Sequence, residues 1–249
     1  MNEKVIEFLA HEDYFNLKED YPTPIKFNLP EWYKKLEHKV ESKTIKGCMP
    51  VLDTLTTGYL LKVPQDYSFR HTFRNENGKQ VPFFEFDPLN TDDGFNQAKS
   101  INLAPSQPNY HPTDQVKGSP LVDKNNKQPF LKIFNPWIIK TPPGYSCLFL
   151  PPMNNTDDRF SIIPGMVDTD SFPNEINFPI IVNGDKYPNI STIIKKGTPY
   201  VQIIPFKRES WKMKIKSATT QFIRKSKLSY FLQNVNIYKN KFWFKKKWN

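Results

Sequence analysis

Short apolar runs alternate with turn-forming residues through the middle of this 249-residue chain. Between Thr141 and Phe206 the runs are rich in β-branched and aromatic residues, and Pro, Gly and Asn interrupt them at regular intervals. Runs of this length between such breaks are typical of antiparallel strands joined by turns. The pattern predicts a mainly β domain over residues 45–207.

Two further segments of the pattern lie N-terminal to this region. Tyr67 to Arg74 alternates aromatic and polar side chains, Asn77-Gly78 is a hairpin turn signal, and Val81 to Phe86 resumes the apolar pattern. This arrangement predicts a β-hairpin. Met49 to Pro64 is strongly apolar, and we expect one or two buried strands there, with a bend at Gly58.

The two ends of the chain differ from this body. Residues 1–44 are predicted to form an N-terminal segment with one short helix. Pro30 suits the first turn of that helix, and the apolar residues that follow give the helix an apolar side. Residues 208–249 are predicted to form a helical extension whose apolar stripe packs against protein. The apolar positions with near-helical spacing are Trp211, Ile215, Ala218, Phe222 and Ile223.

Charge is concentrated in this extension. From Lys207 onward there are thirteen Lys or Arg residues and one acid, so the segment carries +12, whereas the whole chain carries +10. Lysines interleaved with aromatic residues also suit non-specific contact with single-stranded nucleic acid. Such contact is the alternative to docking of the extension on the body or on a neighbouring subunit.

Two features of the sequence bear on location. No apolar run approaches the roughly 20 residues that span a bilayer. The first residues carry acids where a secretory signal has a basic region and an apolar core. We therefore expect a soluble protein that is not secreted, has no membrane contact and lies in the cytoplasm, that of the host if a virus encodes it.

The stretch from Gly165 to Asp170 (GMVDTD) carries the candidate chemistry. If it is extended, Asp168 and Asp170 point to the same side, and paired carboxylates hold a divalent metal or activate a water. The alternative is an Asp-rich turn bonded to its own backbone. His111 and His71, two histidines, together with a carboxylate such as Asp168 would make a metal-binding triad. The only cofactor that these residues predict is a divalent metal ion, and they do not indicate which metal.

Four segments, in this order, resemble motifs of the dUTPase family. They are Thr57-Gly58-Tyr59-Leu60, Pro143-Gly144-Tyr145, residues 165–170, and Gly197 to Ile204 (GTPYVQII). The resemblance covers residues 45–207 and implies a dUTPase-like β-clip barrel that assembles as a homotrimer.

The resemblance also implies site residues. Asp168 and Asp170 would be the catalytic carboxylates. Phe172 follows the position of the tyrosine that packs on deoxyribose in the family. We add His111, which lies in an irregular polar segment, as a candidate ligand contact. The predicted ligand-binding residues are Gln202, Gly165, Tyr59, Phe172 and His111.

The chain departs from the family where phosphate is bound. Leu60 replaces the Asp of the first motif. The Pro151 to Asn154 segment (PPMN) stands where the second motif of the family has an Arg-Ser pair, and Ser171 replaces the tyrosine of the third motif. Residues 208–249 contain no Gly-rich segment that could close over phosphates. We therefore expect a protein that binds a small, nucleotide-like ligand near Asp168 without hydrolysing dUTP.

Two other functions stay open. The segments CMPVLDTLTTGY, NPWIIKTPPGYS and GTPYVQIIPFKRESW resemble an uncharacterised family of bacterial and phage proteins. One alternative is therefore a phage structural or assembly protein that uses the barrel as a scaffold. The other is a metal-dependent enzyme that uses His111 or His71 with Asp168. Whether the protein is an enzyme is left undecided at this point.

Overall fold

Strands dominate the part of the chain that the computed structural model describes. This part comprises residues 4–39, 43–89, 110–125, 127–155, 157–231 and 237–249. Every strand pairing within it is antiparallel. The predicted mainly β, antiparallel architecture is therefore confirmed. No helix in these ranges combines the length and the apolar character that crossing a bilayer requires.

The strands are numbered in chain order. They are β1 (Glu7–Leu9), β2 (Thr23–Pro24), β3 (Tyr59–Lys62), β4 (Tyr67–Glu76), β5 (Lys79–Pro88), β6 (Tyr110–His111), β7 (Phe130–Ile133), β8 (Ile138–Lys140), β9 (Tyr145–Leu150), β10 (Phe160–Ile162), β11 (Gly165–Val167), β12 (Phe178–Val182), β13 (Ile190–Ile194) and β14 (Pro199–Lys207). The predicted hairpin is present as β4 and β5, which pair over ten residues around Asn77-Gly78.

The helices are mostly short. They are α1 (Glu12–Phe15), α2 (Glu31–Lys35), α3 (Met49–Thr56), α4 (Pro120–Lys124) and α5 (Thr220–Phe231). The predicted short helix is present as α2, but Pro30 is its N-cap residue and does not lie in its first turn. The prediction of a strand over Met49 to Thr56 was wrong, because Pro50 lies in the first turn of α3, where its missing N–H costs no helical hydrogen bond.

Four sheets are formed by the described strands. The largest has the order β11-β9-β14-β3-β2, and the others are β10-β12-β7-β6, β13-β4-β5 and β1-β8. No pairing among these strands closes a sheet on itself into a ring. The described residues thus form open sheets that pack on one another.

Gly58 determines how β3 lies against β14. Its φ is +82°, a conformation that glycine adopts without strain. A Cβ atom placed on Gly58 would lie 2.0 Å from the carbonyl oxygen of Ile203 on β14. The bend predicted at this position is therefore also a close approach of two backbones.

The core lies between the sheets and also includes the N-terminal segment. Phe69, Phe149 and Ile203 are among its buried side chains, together with Tyr14 from α1. Strand β1 pairs with β8, and β2 pairs with β3. Residues 4–39 therefore contribute both strands and core side chains to the body.

The C-terminal extension behaves differently from the prediction. Residues 208–219 belong to neither helix nor strand, and α5 begins only at Thr220. The stripe predicted to pack is exposed: Trp211 is 88% and Ile215 is 86% exposed. Of the two predicted docking surfaces, the body of the same chain and a neighbouring subunit, the first is therefore wrong for this stripe.

The last residues dock instead. The Trp243 indole donates from Nε1 to both carboxylate oxygens of Asp53, at 3.1 Å each. The Lys246 ammonium pairs with the same carboxylate at 2.5 Å. The Trp248 ring meets the Tyr59 ring edge to face, with centroids 5.9 Å apart. The extension is thus attached to the body at both of its ends.

Candidate functional site

All four dUTPase-like segments fall in the five-stranded sheet. The first begins β3, the second begins β9, the third contains β11 and the fourth contains most of β14. Gly165, Phe149, Ile203 and Tyr59 lie opposite one another in a single row across the sheet. Pairing between distant strands therefore unites segments that lie far apart in sequence.

The same strand order separates two predicted ligand contacts. Strands β9 and β14 lie between β11, which precedes Asp168, and β3, which carries Tyr59. With strands about 4.8 Å apart, β11 and β3 are roughly 14 Å from each other. Asp168 and Tyr59 of one chain therefore do not line one small pocket.

Asp168 is accessible and held in place. Its side chain is 65% exposed. The Ser146 hydroxyl on β9 donates to Asp168 Oδ1 at 2.6 Å, and Arg208 Nη1 lies 3.3 Å from the same oxygen. One carboxylate oxygen thus has two partners, and the side chain still faces solvent.

Asp170 has been drawn into the protein. Its side chain is 10% exposed. Both nitrogens of the Arg208 guanidinium contact this carboxylate, and the Gly144 backbone N–H donates to it at 2.8 Å. The hydrogen bond from Arg208, followed by that from Gly144, lowers the pKa of Asp170 to about 2. Asp170 ties the end of β14 to the start of β9.

This depressed pKa predicts an acid-dependent stability. A carboxyl whose pKa falls from about 3.9 unfolded to a lower folded value stabilises the fold above the unfolded pKa. That contribution is lost as the pH falls from about 4 through 2. We expect Asp170→Asn to lower the melting temperature at pH 7, and the difference from wild type to shrink below pH 4. Thermal melts of both proteins from pH 7 to 2 measure it, and a pH-independent difference would contradict the ion pair.

Gln202 is buried and fully used by the protein. It is 0% exposed, and its Nε2 donates to the carbonyl oxygens of Thr54 at 3.0 Å and Thr57 at 2.8 Å. Its Oε1 accepts from the Met153 N–H at 2.9 Å. The predicted ligand contact instead fastens the end of α3 and the turn after β9 to β14.

The remaining predicted contacts are scattered. Gly165 opens β11 as an ordinary strand residue and does not form the expected tight turn. Phe172 is 38% exposed and close to Asp168, because the N–H groups of Ser171 and Phe172 both donate to the Asp168 carbonyl oxygen. Tyr59 is occupied by the C-terminal residues, since its hydroxyl donates to the Asn249 carbonyl oxygen at 3.3 Å.

The two histidines lie on other sheets. His71 on β4 is completely buried, and its Nδ1 is 3.1 Å from the Tyr187 carbonyl oxygen. His111 on β6 has Nδ1 2.5 Å from the side-chain oxygen of Gln115. Within the described ranges, no three His, Cys, Asp or Glu side chains are grouped so that they could hold a metal ion. The geometry thus gives the predicted metal triad no support.

Sequence reasoning missed Arg208. This residue contacts Asp168, Asp170 and Ser146, and its backbone N–H donates to the Gly144 carbonyl oxygen at 2.8 Å. It lies just beyond the predicted end of the β domain, 38 residues after Asp170. The one available signal was its place directly after a strong strand pattern.

A separate cavity of about 200 Å³ lies beside the turn after β9. Asp157 and Asp158 line it, together with Pro151 and Pro152 from the segment that stands at the family's Arg-Ser pair. The neighbouring Arg159 guanidinium is paired with Asp157 at 2.7 Å. Lys124 also lines the cavity, so its wall carries one ammonium group beside the two carboxylates.

Comparison with known proteins adds no relative. Neither the family models nor the curated proteins give a match to this chain.

Proposed function

We propose that this protein binds a small, nucleotide-like ligand on the surface beside Asp168 and does not hydrolyse dUTP. The observation that carries the proposal is the exposed, positioned carboxylate of Asp168. Asp170 and Gln202, the other two polar positions shared with the dUTPase motifs, are committed to protein partners. Asp168 is the member of this trio that can accept hydrogen bonds from a ligand.

The groups around Asp168 indicate the chemistry of the ligand. The Phe172 N–H donates to the Asp168 carbonyl oxygen, so residues 168–172 form one helix-like turn. Side chains four residues apart in such a turn lie on the same side. A ring beside a carboxylate suits a ligand that has hydroxyl groups and a flat base or sugar face. Arg208, 39% exposed, adds a cation for a negatively charged substituent.

An oligomer would complete the site. Because two strands, β9 and β14, separate Tyr59 from β11, Tyr59 could meet a ligand at Asp168 only from another copy. This geometry fits a dUTPase-like β-clip barrel in a homotrimer, with ligand sites at the contacts between subunits. The open sheets of the single chain are compatible with such closure.

The direct test is the variant Asp168→Asn. We expect deoxyuridine, dUMP or dUTP to raise the melting temperature of the wild-type protein, and the variant to bind the same compound about 10- to 100-fold more weakly. This range corresponds to the roughly 1.5–3 kcal/mol of a hydrogen bond to a charged group. Titration calorimetry gives both affinities.

Asp158→Asn is the matched control. Asp158 is also an exposed carboxylate with a cationic partner, Lys186, but lies at the cavity beside the turn after β9. Its substitution should leave the affinity unchanged. Equal weakening by both variants, or no binding of any compound in the panel, would overturn the proposed site.

A second prediction concerns catalysis. We expect no Mg²⁺-dependent release of pyrophosphate from dUTP above background, because Pro151 and Pro152 stand where the dUTPase motif has the Arg-Ser pair that contacts phosphate. A pyrophosphate-release assay with an active dUTPase as positive control measures it. Robust turnover by this protein would show that another group supplies the missing stabilisation.

A structural or assembly role, such as that of a phage scaffold protein, is the second candidate. The observation that favours it is the exposed apolar surface of residues 208–219, which a protein acting as a single chain would leave in water. One measurement distinguishes the two roles. A ligand-binding protein should melt at a higher temperature in the presence of a nucleotide, whereas an assembly protein need not.

A further inference from the structure

Residues 208–219, here called the arm, have the pattern of a strand that is buried on one face. Apolar and lysine residues alternate strictly from Trp211 to Lys216 (WKMKIK). A period of two is the signature of a half-buried strand. The apolar side chains of this segment are those of Trp211, Met213 and Ile215, here called the apolar arm face. They are 88%, 83% and 86% exposed, respectively. The chain therefore makes a strand-like surface that its own body does not cover.

The direction of the arm carries it away from its own sheet edge. Strands β14 and β11 both run antiparallel to β9, so they are parallel to each other. The arm continues β14 beyond the C-terminal end of β11, where Arg208 is fixed by Gly144 and Asp170. Twelve residues reach about 40 Å when fully extended. This reach is enough to contact a neighbouring molecule.

A complementary surface lies at the edge of the five-stranded sheet. Strand β11 is the end strand in the sheet order and is paired only with β9 among the described strands. Met166, in its middle, is 71% exposed. Leu148 and Ile204 lie in register with it and are partly exposed. These three residues form an apolar row, here called the Met166 row, beside the end strand of the sheet.

We propose that the arm of one copy adds as a strand to β11 of a second copy of this chain. The backbone of the arm pairs with the free edge of β11, and the apolar arm face extends the Met166 row by one strand. An exposed edge with apolar side chains is a template for such strand addition. The lysines fall on the opposite face, where their long stems let the charged ends reach water.

The composition of the arm favours a protein partner over nucleic acid. Lysines and Trp211 suit a polyanion, because charge attracts the backbone and an indole stacks on bases. Met213 and Ile215 have no flat face for stacking, and a nucleic-acid strand would leave both in water. A second copy covers all three apolar side chains. This inference is independent of the ligand proposed at Asp168.

Two matched variants of the full chain test the inference. In the first, W211S, M213T and I215T remove the apolar arm face. In the second, K212S, K214T and K216S also change three residues, but they remove the lysines and keep the apolar arm face. Size-exclusion chromatography with light scattering gives the mass of each protein at micromolar concentration. We expect an oligomer for wild type and the lysine variant, and a single-chain mass for the apolar variant with an unchanged circular dichroism spectrum.

Photocrosslinking identifies the acceptor. With Met213→p-benzoylphenylalanine, irradiation should give a two-chain product on a denaturing gel, and mass spectrometry should join the arm peptide to the peptide that contains β11. Met166→Lys should abolish this product. Crosslinks confined to one chain, or to a surface remote from β11, would overturn the inference.

The remaining outcomes also decide it. A monomeric wild-type protein, or an apolar variant that keeps the oligomeric mass, contradicts strand addition. If wild type is monomeric and the lysine variant alone loses binding to a single-stranded oligothymidine, the arm is a polyanion-binding segment and not an interface between copies.

Discussion

Alanine at position 58 is expected to lower the free energy of unfolding by about 3 kcal/mol or more. A side chain at a φ of +82° costs about 1–2 kcal/mol. The added Cβ would also lie 2.0 Å from the carbonyl oxygen of Ile203. Because that atom belongs to the backbone of β14, relief requires β3 and β14 to separate, and overpacking costs another 1–3 kcal/mol, roughly. Urea unfolding of purified Gly58→Ala measures the loss.

Gly78→Ala separates strain from crowding. Gly78, in the β4–β5 turn, has a φ of +80°, and a Cβ placed there has no neighbour within 4 Å. It should lose about 1–2 kcal/mol from the backbone conformation alone. If both variants lose the same amount, the contact between Gly58 and β14 contributes nothing. If Gly58→Ala fails to fold while Gly78→Ala melts cooperatively, the contact is confirmed as the larger effect.

Gln202→Leu is expected to have the second large effect, a loss of about 3–5 kcal/mol. Leucine fills a similar volume but leaves two carbonyl oxygens and one N–H without their partner. Each buried polar group left in this state costs about 1–3 kcal/mol, and relaxation of the loops recovers a part. Denaturant titration gives the loss. Hydrogen exchange should also accelerate at the Met153 amide.

Asn154→Gly is the control for the same turn. The Asn154 side chain donates to the Thr54 hydroxyl at 2.7 Å, but this hydrogen bond is exposed. Its φ of +60° suits glycine. The variant should therefore lose less than about 1 kcal/mol. A Gln202→Leu protein as stable as Asn154→Gly would mean that water replaces the three hydrogen bonds of Gln202.

The strands could be predicted from the sequence because local signals specify them. The alternation in β4 and the Asn77-Gly78 turn each determine backbone geometry within a few residues. Helix α3 was missed because a short apolar run fits either a buried strand or a helix. Its Pro50 is a residue of the first helical turn, a position that tolerates proline.

The extension shows how two periods can coexist in one segment. Trp211, Ile215 and Ala218 suit a helix, whereas the strict lysine alternation up to Lys216 suits a strand. The helical spacing predicts a helix, but residues 208–219 form neither a helix nor a strand. The choice depends on what covers the apolar positions, and that is tertiary information.

The candidate site was predicted in part. The four dUTPase-like segments were recognised from their order in the sequence, and the strand order places them in one open sheet that contains β3, β9, β11 and β14. The partners of each side chain were not predictable, because they depend on pairings between distant strands. Asp168 and Asp170 are two residues apart, yet one is 65% exposed and the other 10%, since the backbone N–H of Gly144 reaches only the second.

The order of strands also determines when this protein can fold during synthesis. Strand β3 emerges from the ribosome early, but its neighbour β14 comes much later: Gln202 on β14 bonds Thr57, 145 residues before it. Pairing over such separations slows folding, because chain entropy is lost before contacts compensate for it. Until β14 is made, β3 and β9 lack a common neighbour and their edges stay open to other chains. A nascent chain of this protein is therefore a candidate client for molecular chaperones over most of its translation.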